Sequence, residues 1–194
     1  MLIELARMLQ GNSLPIRVDL VAYALEEPLS AGALGNFRTP DGGSAVHAAS
    51  LKAEGARVRL MFSIETVGYY SDEKDSQDFP ISLLKYFYPT QGNYILIVSR
   101  LGEMSVVRRV KNAMRAATSL AVYSINAPAT VEGIDYSDHF NYWKNDYPAV
   151  MITDTAFNRN KAYHTAGDTA DRLDYNRLAM VTQSIHSAVL AVAR

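Results

Sequence analysis

The 194-residue sequence contains no cysteine. That absence excludes a disulfide framework and every Cys-ligated zinc or iron–sulfur site. A bound metal would have to rest on histidine and carboxylate, and histidine is scarce: His47, His139, His164 and His186 are the only four. Long apolar runs are missing too. Residues 20–25 and 188–193 fall far short of the roughly 18 needed to cross a bilayer. The N-terminus reads Met-Leu-Ile-Glu-Leu-Ala-Arg, with no basic stretch ahead of an apolar one, so it does not resemble a secretory leader. There is no excess of one charge either. Nineteen Lys and Arg against twenty Asp and Glu leave a net charge of -1, which argues against a broad nucleic-acid-binding face.

What is present describes a folded domain. Hydrophobic residues make up 48% and charged residues 20%, which excludes disordered, fibrous and coiled-coil classes. A chain of this length buries roughly 70% of its unfolded surface, and residues 1–194 read as one domain without a linker or repeat. As written, the sequence looks cytoplasmic.

Helical and strand periods alternate along the chain, the pattern of an α/β fold. The opening apolar stripe of Leu2, Ile3, Leu5, Ala6 and Leu9 has no lead-in or N-cap, as though the chain began inside a helix. Strands are expected at residues 16–25, 57–67, 94–98 and 148–153. The first of these is a nearly continuous apolar run of the kind buried on both faces. Helices are expected at 43–54, 104–121 and 175–192, and irregular chain at 29–42, 68–92 and 128–147.

In open α/β sheets, ligands bind beyond the carboxyl ends of the strands, and three expected strands deliver acidic groups there. The first ends in Glu26-Glu27, the second carries Glu65, and the fourth ends in Thr153-Asp154 with His164 following in the next loop. Carboxylates leaving a buried strand are costly unless they are paired, hydrogen-bonded or bound to metal. Carboxylates with a histidine and no cysteine suit a zinc hydrolase site. Each signal alone has an ordinary reading as a solvated turn or a surface residue. The aromatics Tyr136, Phe140, Tyr142, Trp143 and Tyr147 read mainly as core and only secondarily as a pocket wall. Asp72, Glu73, Asp75 and Asp78 lack the glycine and terminal glutamate of a calcium loop. His47 and His186 sit on expected helices.

The surrounding residues carry a family resemblance. The segment Val-Ala-Tyr-Ala-Leu-Glu-Glu-Pro at 21–28, with the Gly/Ser-bearing loop and helix after it, resembles the Glu-Glu motif of the M28 zinc aminopeptidases. Ser-Ile-Glu-Thr-Val-Gly-Tyr-Tyr at 63–70 is similar to their next metal-ligand strand, in the variant with Glu in place of Asp. Ser137-Asp138-His139, followed by Phe140, Trp143 and Tyr147-Pro148-Ala149, resembles their Ser-Asp-His segment. Tyr-His-Thr-Ala-Gly-Asp-Thr at 163–169, with Leu173-Asp174-Tyr175, resembles their last ligand motif. The four segments follow one another in the family's order.

The resemblance implies a three-layer sandwich: a central mixed, mostly parallel sheet flanked by helices, the phosphorylase/hydrolase-like zinc exopeptidase fold without its first strands. It implies a zinc-dependent aminopeptidase that hydrolyses the N-terminal bond of peptide substrates, with two zinc ions roughly 3.5–4 Å apart. Glu26 would be the general base. Glu27 and His164 would hold one zinc and Glu65 the other, while Asp138 and His139 would lie in a second shell or touch substrate. A capped helix N-terminus at Ser137 or Asp138 is the competing reading of that last pair.

The family's earlier half, a His-x-Asp strand end and a bridging-Asp loop, does not occur in this sequence. Three of five expected ligand positions remain, Glu27, Glu65 and His164, and a catalytic zinc usually needs three protein ligands. The expectation is therefore the C-terminal portion of a longer domain, metal-poor and weakly active alone. An unpaired sheet edge would invite a homo-oligomer, and a signal peptide in a missing N-terminal segment would make the protein exported. Two further readings stay open: a catalytically inactive M28-like binding module, and a glutaminyl-cyclase-like transferase.

Overall fold

The computed structural model describes residues 1–27 and 36–194. Its regular elements run in the order α1 (Leu2–Leu9), α2 (Gly43–Ala53), β1 (Met61–Glu65), β2 (Tyr94–Ser99), α3 (Met104–Ala117), β3 (Ala121–Asn126), α4 (His139–Lys144), β4 (Ala149–Thr153) and α5 (Tyr175–Ala193). The four strands form one mixed sheet in the order β1-β4-β2-β3. β1 lies parallel to β4 and β2 parallel to β3, while β2 and β4 meet antiparallel with Ile97 opposite Ile152. Helices cover both faces, so the expected α/β sandwich is present.

Alternation along the strands divides the core between the faces. Ile95, Ile97, Val122, Val150 and Ile152 point to one side, where α3 supplies Val107, Val110 and Met114, and α5 supplies Val181, Ile185, Ala188 and Val192. These helical positions recur every three or four residues, so each helix turns a single stripe inward. Leu5 of α1 joins the same cluster. On the other face α2 and α4 bring Ala48, Leu51 and Tyr142 against Ala149, and Val98 and Met151 pack with Ile134. The start of α5 is set by Asp174, whose side chain accepts a 2.9 Å bond from the Arg177 backbone N–H.

Three expectations need correction. Residues 104–121 are not one helix: α3 ends at Ala117, and Ala121 opens β3. A short helix, α4, lies in the stretch expected to be irregular. Residues 16–25 do not form a strand, and Leu20 and Val21 are 38% and 37% exposed instead of buried. The physical reason is the lack of a neighbour. An extended run becomes a strand only where another backbone completes its ladder, and residues 16–22 make no backbone–backbone bond to any described residue. The proline that closes the Glu-Glu motif segment, Pro28, and the first part of the loop expected at 29–42 lie outside the described residues.

Candidate active site

Glu26, Glu27, Glu65 and His164 come together at one rim of the sheet, where all four line a single cavity of 310 Å³. Glu65 stands at the carboxyl end of β1. Glu26 and Glu27 are held by the packing of their segment on α2: the Gly43 N–H donates to the Ala24 carbonyl at 3.0 Å, and the Asn36 amide donates to the Glu27 carbonyl at 2.8 Å. Residue 43 must be glycine for this approach, since a Cβ there would lie 2.7 Å from the Ala24 oxygen. The Tyr23 hydroxyl fixes the other side, bonding to His47 Nδ1 at 2.9 Å and to the Tyr142 hydroxyl at 2.7 Å. His47 thus anchors the segment from α2. His164 arrives on a loop shaped by Asn160, which bonds to Asp168 at 2.8 Å and accepts the Ala162 N–H at 3.0 Å. Its ring stacks on Tyr163 at 3.9 Å, and its Nε2 lies 2.9 Å from Glu27 Oε2.

This crowding raises the acids. Burial first, then the charges of Glu65, Asp138 and Glu27, push the Glu26 carboxyl up to about 8. Burial and the charges of Glu27, Asp138 and Asp154 push Glu65 up to about 7, against an opposing hydrogen bond from Ser137. Both carboxyls therefore exchange protons near neutrality, the range in which a general base works best.

The backbone at the rim is strained. Among the described residues, seven non-glycine residues have positive φ, and five of them adjoin the site: Leu25 before Glu26, Thr66 after Glu65, Thr155 and Ala156 after β4, and His164 itself. Such conformations cost on the order of 1–3 kcal/mol each and persist where the surroundings over-determine them. Asp154 supplies part of that determination. One of its oxygens accepts the Gly68 and Tyr69 N–H groups at 3.0 and 2.8 Å, and the other accepts Ala156 N–H at 3.0 Å. Expected as a rim acid, Asp154 is instead turned inward and buried. Arg159 lies behind it, donating to Gln77 at 2.9 Å and to the Tyr94 carbonyl at 3.0 Å.

The geometry has counterparts among known proteins. The sequence profile of Peptidase family M28 matches residues 1–189. The chain belongs to peptidase family M28. Its sequence is 47% identical over 184 residues to "Uncharacterized protein YfbL" of Escherichia coli (strain K12), a match covering 95% of this chain and 54% of that one. Its fold is similar to BSAP, a zinc aminopeptidase from Bacillus subtilis, with a TM-score of 0.65 at 15% identity, covering 97% of this chain and 39% of that chain. The LapA aminopeptidase of Legionella pneumophila gives a TM-score of 0.56 at 17% identity, covering 78% and 35%. The chain thus spans about half the length of the curated relative it matches.

Beside the four rim residues, Asp138 and His139 stand at the start of α4 in this M28 chain. Asp138 is the N-cap of α4 but makes no side-chain cap bond. Burial raises its carboxyl, and its charge reaches Glu26 and Glu65. His139 is fully buried, its Nε2 2.8 Å from the Ile134 carbonyl, and burial pushes its imidazole down to about 4. Neither residue lines the rim cavity. That cavity is walled mainly by apolar groups that sequence patterns did not single out, among them Leu84, Tyr88, Leu96, Ile125, Met151 and Phe157. Of the five aromatics read mainly as core, Tyr142 and Tyr147 do pack there, with Trp143 against them, while Tyr136 lines the cavity.

Zinc is the metal the M28 likeness implies, and the donor set of one imidazole and several carboxylates has the right chemistry. The arrangement is incomplete. Among the described residues no three His, Asp or Glu side chains are gathered to hold an ion, and Glu27 and His164 pair with each other. The described residues alone do not fit a catalytic zinc, which takes three protein donors.

Proposed function

We propose that residues 1–194 supply part of the catalytic domain of an aminopeptidase: the general base, a share of the metal-binding groups and the specificity pocket. The observation that carries this reading is the meeting of Glu26 with an apolar 310 Å³ cavity inside an M28 chain. The cavity accepts the side chain of a peptide's first residue, and the acidic rim attracts its free α-ammonium group. Glu26, held near neutrality by burial and its acidic neighbours, takes a proton from the attacking water and returns it to the leaving amine. A zinc ion held by a complete ligand set would supply Lewis-acid chemistry. In this reading Glu27, Glu65 and His164 contribute donors to that set, and Asp138 contributes negative charge from the start of α4. The chain alone is metal-poor and weakly active.

The test is a chimera in which residues 1–194 replace the matched portion of YfbL, assayed with zinc on leucine p-nitroanilide and its N-acetylated form. The expected result is hydrolysis of the free-amine substrate alone, falling by about 100-fold or more in Glu26→Gln. Hydrolysis unaffected by Glu26→Gln, or equal hydrolysis of both substrates, overturns the proposal. So does a chimera that loads zinc yet cleaves no aminoacyl anilide. Two tightly held zinc ions on the isolated chain would refute its metal-poor character.

A further inference from the structure

Charge is divided unevenly along the chain. Residues 79–131 contain one acid, Glu103, against six bases: Lys85, Arg100, Arg108, Arg109, Lys111 and Arg115. That single acid is buried and paired with Arg100 at 2.9 Å. The segment therefore carries +5, while thirteen Lys and Arg against nineteen Asp and Glu leave the rest of the chain at -6. The same segment holds Ile81, Leu83, Tyr86, Phe87, Leu101 and Met104, all exposed, with Tyr86 and Phe87 at 74% and 70%. Single exposed apolar residues are ordinary on any protein, but a gathering of large ones marks an interaction surface.

The fold brings both kinds of residue to the outer edge of β3, the last strand of the described sheet on that side. On one face of this edge lies α3. Met104, Arg108, Lys111 and Arg115 follow one another at intervals of four, three and four residues, so they form a single stripe. The stripe runs along β3: Lys111 Nζ donates to Ser124 Oγ at 2.9 Å, and Arg115 Nε to the Val122 carbonyl at 2.8 Å. Its cations crowd one another, and burial together with the charges of Arg115 and Arg108 holds the Lys111 amine below its ordinary value. On the other face, the turn at Ser82–Tyr86 leads to Tyr88, whose hydroxyl donates to the Ser124 carbonyl at 2.9 Å. Leu84 and Tyr88 line the rim cavity, which leaves Leu83, Tyr86 and Phe87 presented to solvent on a turn held in place.

We infer that this edge docks on an anionic lipid surface, its cations meeting the headgroup phosphates and its apolar side chains entering the interface. Apolar insertion and a basic patch are the two signals that together hold a folded domain on a bilayer. The charge of the segment is complementary to such a surface, and the exposed apolar residues decide between anions. Ile81, Leu83, Leu101 and Met104 gain nothing from a nucleic-acid backbone, which is read through its phosphates, whereas acyl chains accept them. A second copy added as a strand is disfavoured, because the Val122 and Ser124 carbonyls are already taken by Arg115 and Tyr88, and natural sheet edges are blunted by such devices. The inference rests on charge and exposure and does not depend on the peptidase reading.

The experiment is co-sedimentation of the intact 194-residue chain with vesicles of phosphatidylcholine alone and of an equal mixture of phosphatidylcholine and phosphatidylglycerol. Binding is expected to be about tenfold or more tighter on the anionic vesicles and to weaken as salt rises from about 0.05 to 0.5 M. Lys85→Glu with Arg108→Glu, both on exposed side chains, is expected to weaken it by about tenfold or more. Tyr86→Ser with Phe87→Ser is expected to weaken it too, while leaving the salt dependence in place. Lys74→Glu with Lys144→Glu makes the same change in net charge away from the edge and is expected to have little effect. Equal binding to both kinds of vesicle, or binding to neither, overturns the inference. So does a Lys74/Lys144 pair that weakens binding as much as the edge pair, since net charge would then be the cause. Tighter capture of a single-stranded oligonucleotide than of anionic vesicles makes the edge a nucleic-acid face and overturns it. A dimer in sedimentation that Tyr86→Ser with Phe87→Ser dissolves makes a second copy the occupant and overturns it as well.

Discussion

Glu65→Gln isolates the electrostatic cost of the rim. The substitution keeps shape and removes the charge. In the folded chain the Glu65 carboxyl sits at about 7 against an ordinary 4.5, with burial the largest cause. The native state therefore holds the proton more tightly than the unfolded chain, and stability falls as pH rises between those two values. Its contribution is full below 4.5 and lost above about 7. At ~1.36 kcal/mol per pH unit the whole interval corresponds to about 3 kcal/mol. Solvent reaching this half-buried group screens it, leaving an expected ~1–2 kcal/mol, or roughly 2–8 °C in a chain this size. The assay is calorimetry in chelator from pH 4 to 9. Wild type and Glu65→Gln should melt together at pH 4 and separate above pH 6, the variant being the more stable. Because the Glu65 charge is one cause of the raised Glu26 value, the remaining pH dependence should also move downward in the variant. A variant less stable than wild type at pH 8, or a difference that does not change with pH, refutes the argument.

Arg159→Met removes donors to Gln77 and to the Tyr94 carbonyl and leaves Asp154 without its nearby cation; a loss of about 3 kcal/mol or more is expected in urea unfolding, and an unchanged midpoint would contradict it. Asp174→Ala deletes the N-cap of α5 and should cost ~1 kcal/mol in the same assay, with Asp174→Ser largely restoring it. Met114→Ala opens a cavity in the fully buried α3–α5 seam and should cost about 2–5 kcal/mol, whereas Met104→Ala, on an exposed residue, should move the midpoint little.

The parts of this fold that sequence announced are those whose signal is local. β2 and β4 are short apolar runs ending in polar turns, and both sit within a residue or so of expectation. α5 carries its own cap and a continuous inward stripe. β3 escaped notice because only three residues separate Ala121 from the end of α3, so its apolar residues read as a continuation of the helix. α4 is six residues long, too short to show a period. Residues 16–25 carry a strand's composition, yet the outcome depends on a partner that composition cannot supply. The rim divides in the same way. Glu26, Glu27, Glu65 and His164 stand in recognisable local motifs, and all four line one cavity. Arg159 and Gln77 are joined across 82 positions of chain, and no window of sequence contains both.

Stability and chemistry occupy different halves of the molecule. α3 and α5 close on β2, β3 and β4 with a run of fully buried side chains from Ile95 to Ile185, and that seam sets the global unfolding free energy. The rim concentrates the opposite terms: like charges beside one another and five strained backbone residues. Local opening should follow the balance. Amides of residues 16–22, having no backbone partner among the described residues, should exchange first and without response to Met114→Ala. Amides of Val110 and Ile185 should exchange last and lose protection in step with the global destabilisation of that variant. If Met114→Ala instead accelerated both sets equally, the rim and the seam would open as one cooperative unit, and the separation argued from packing would be wrong.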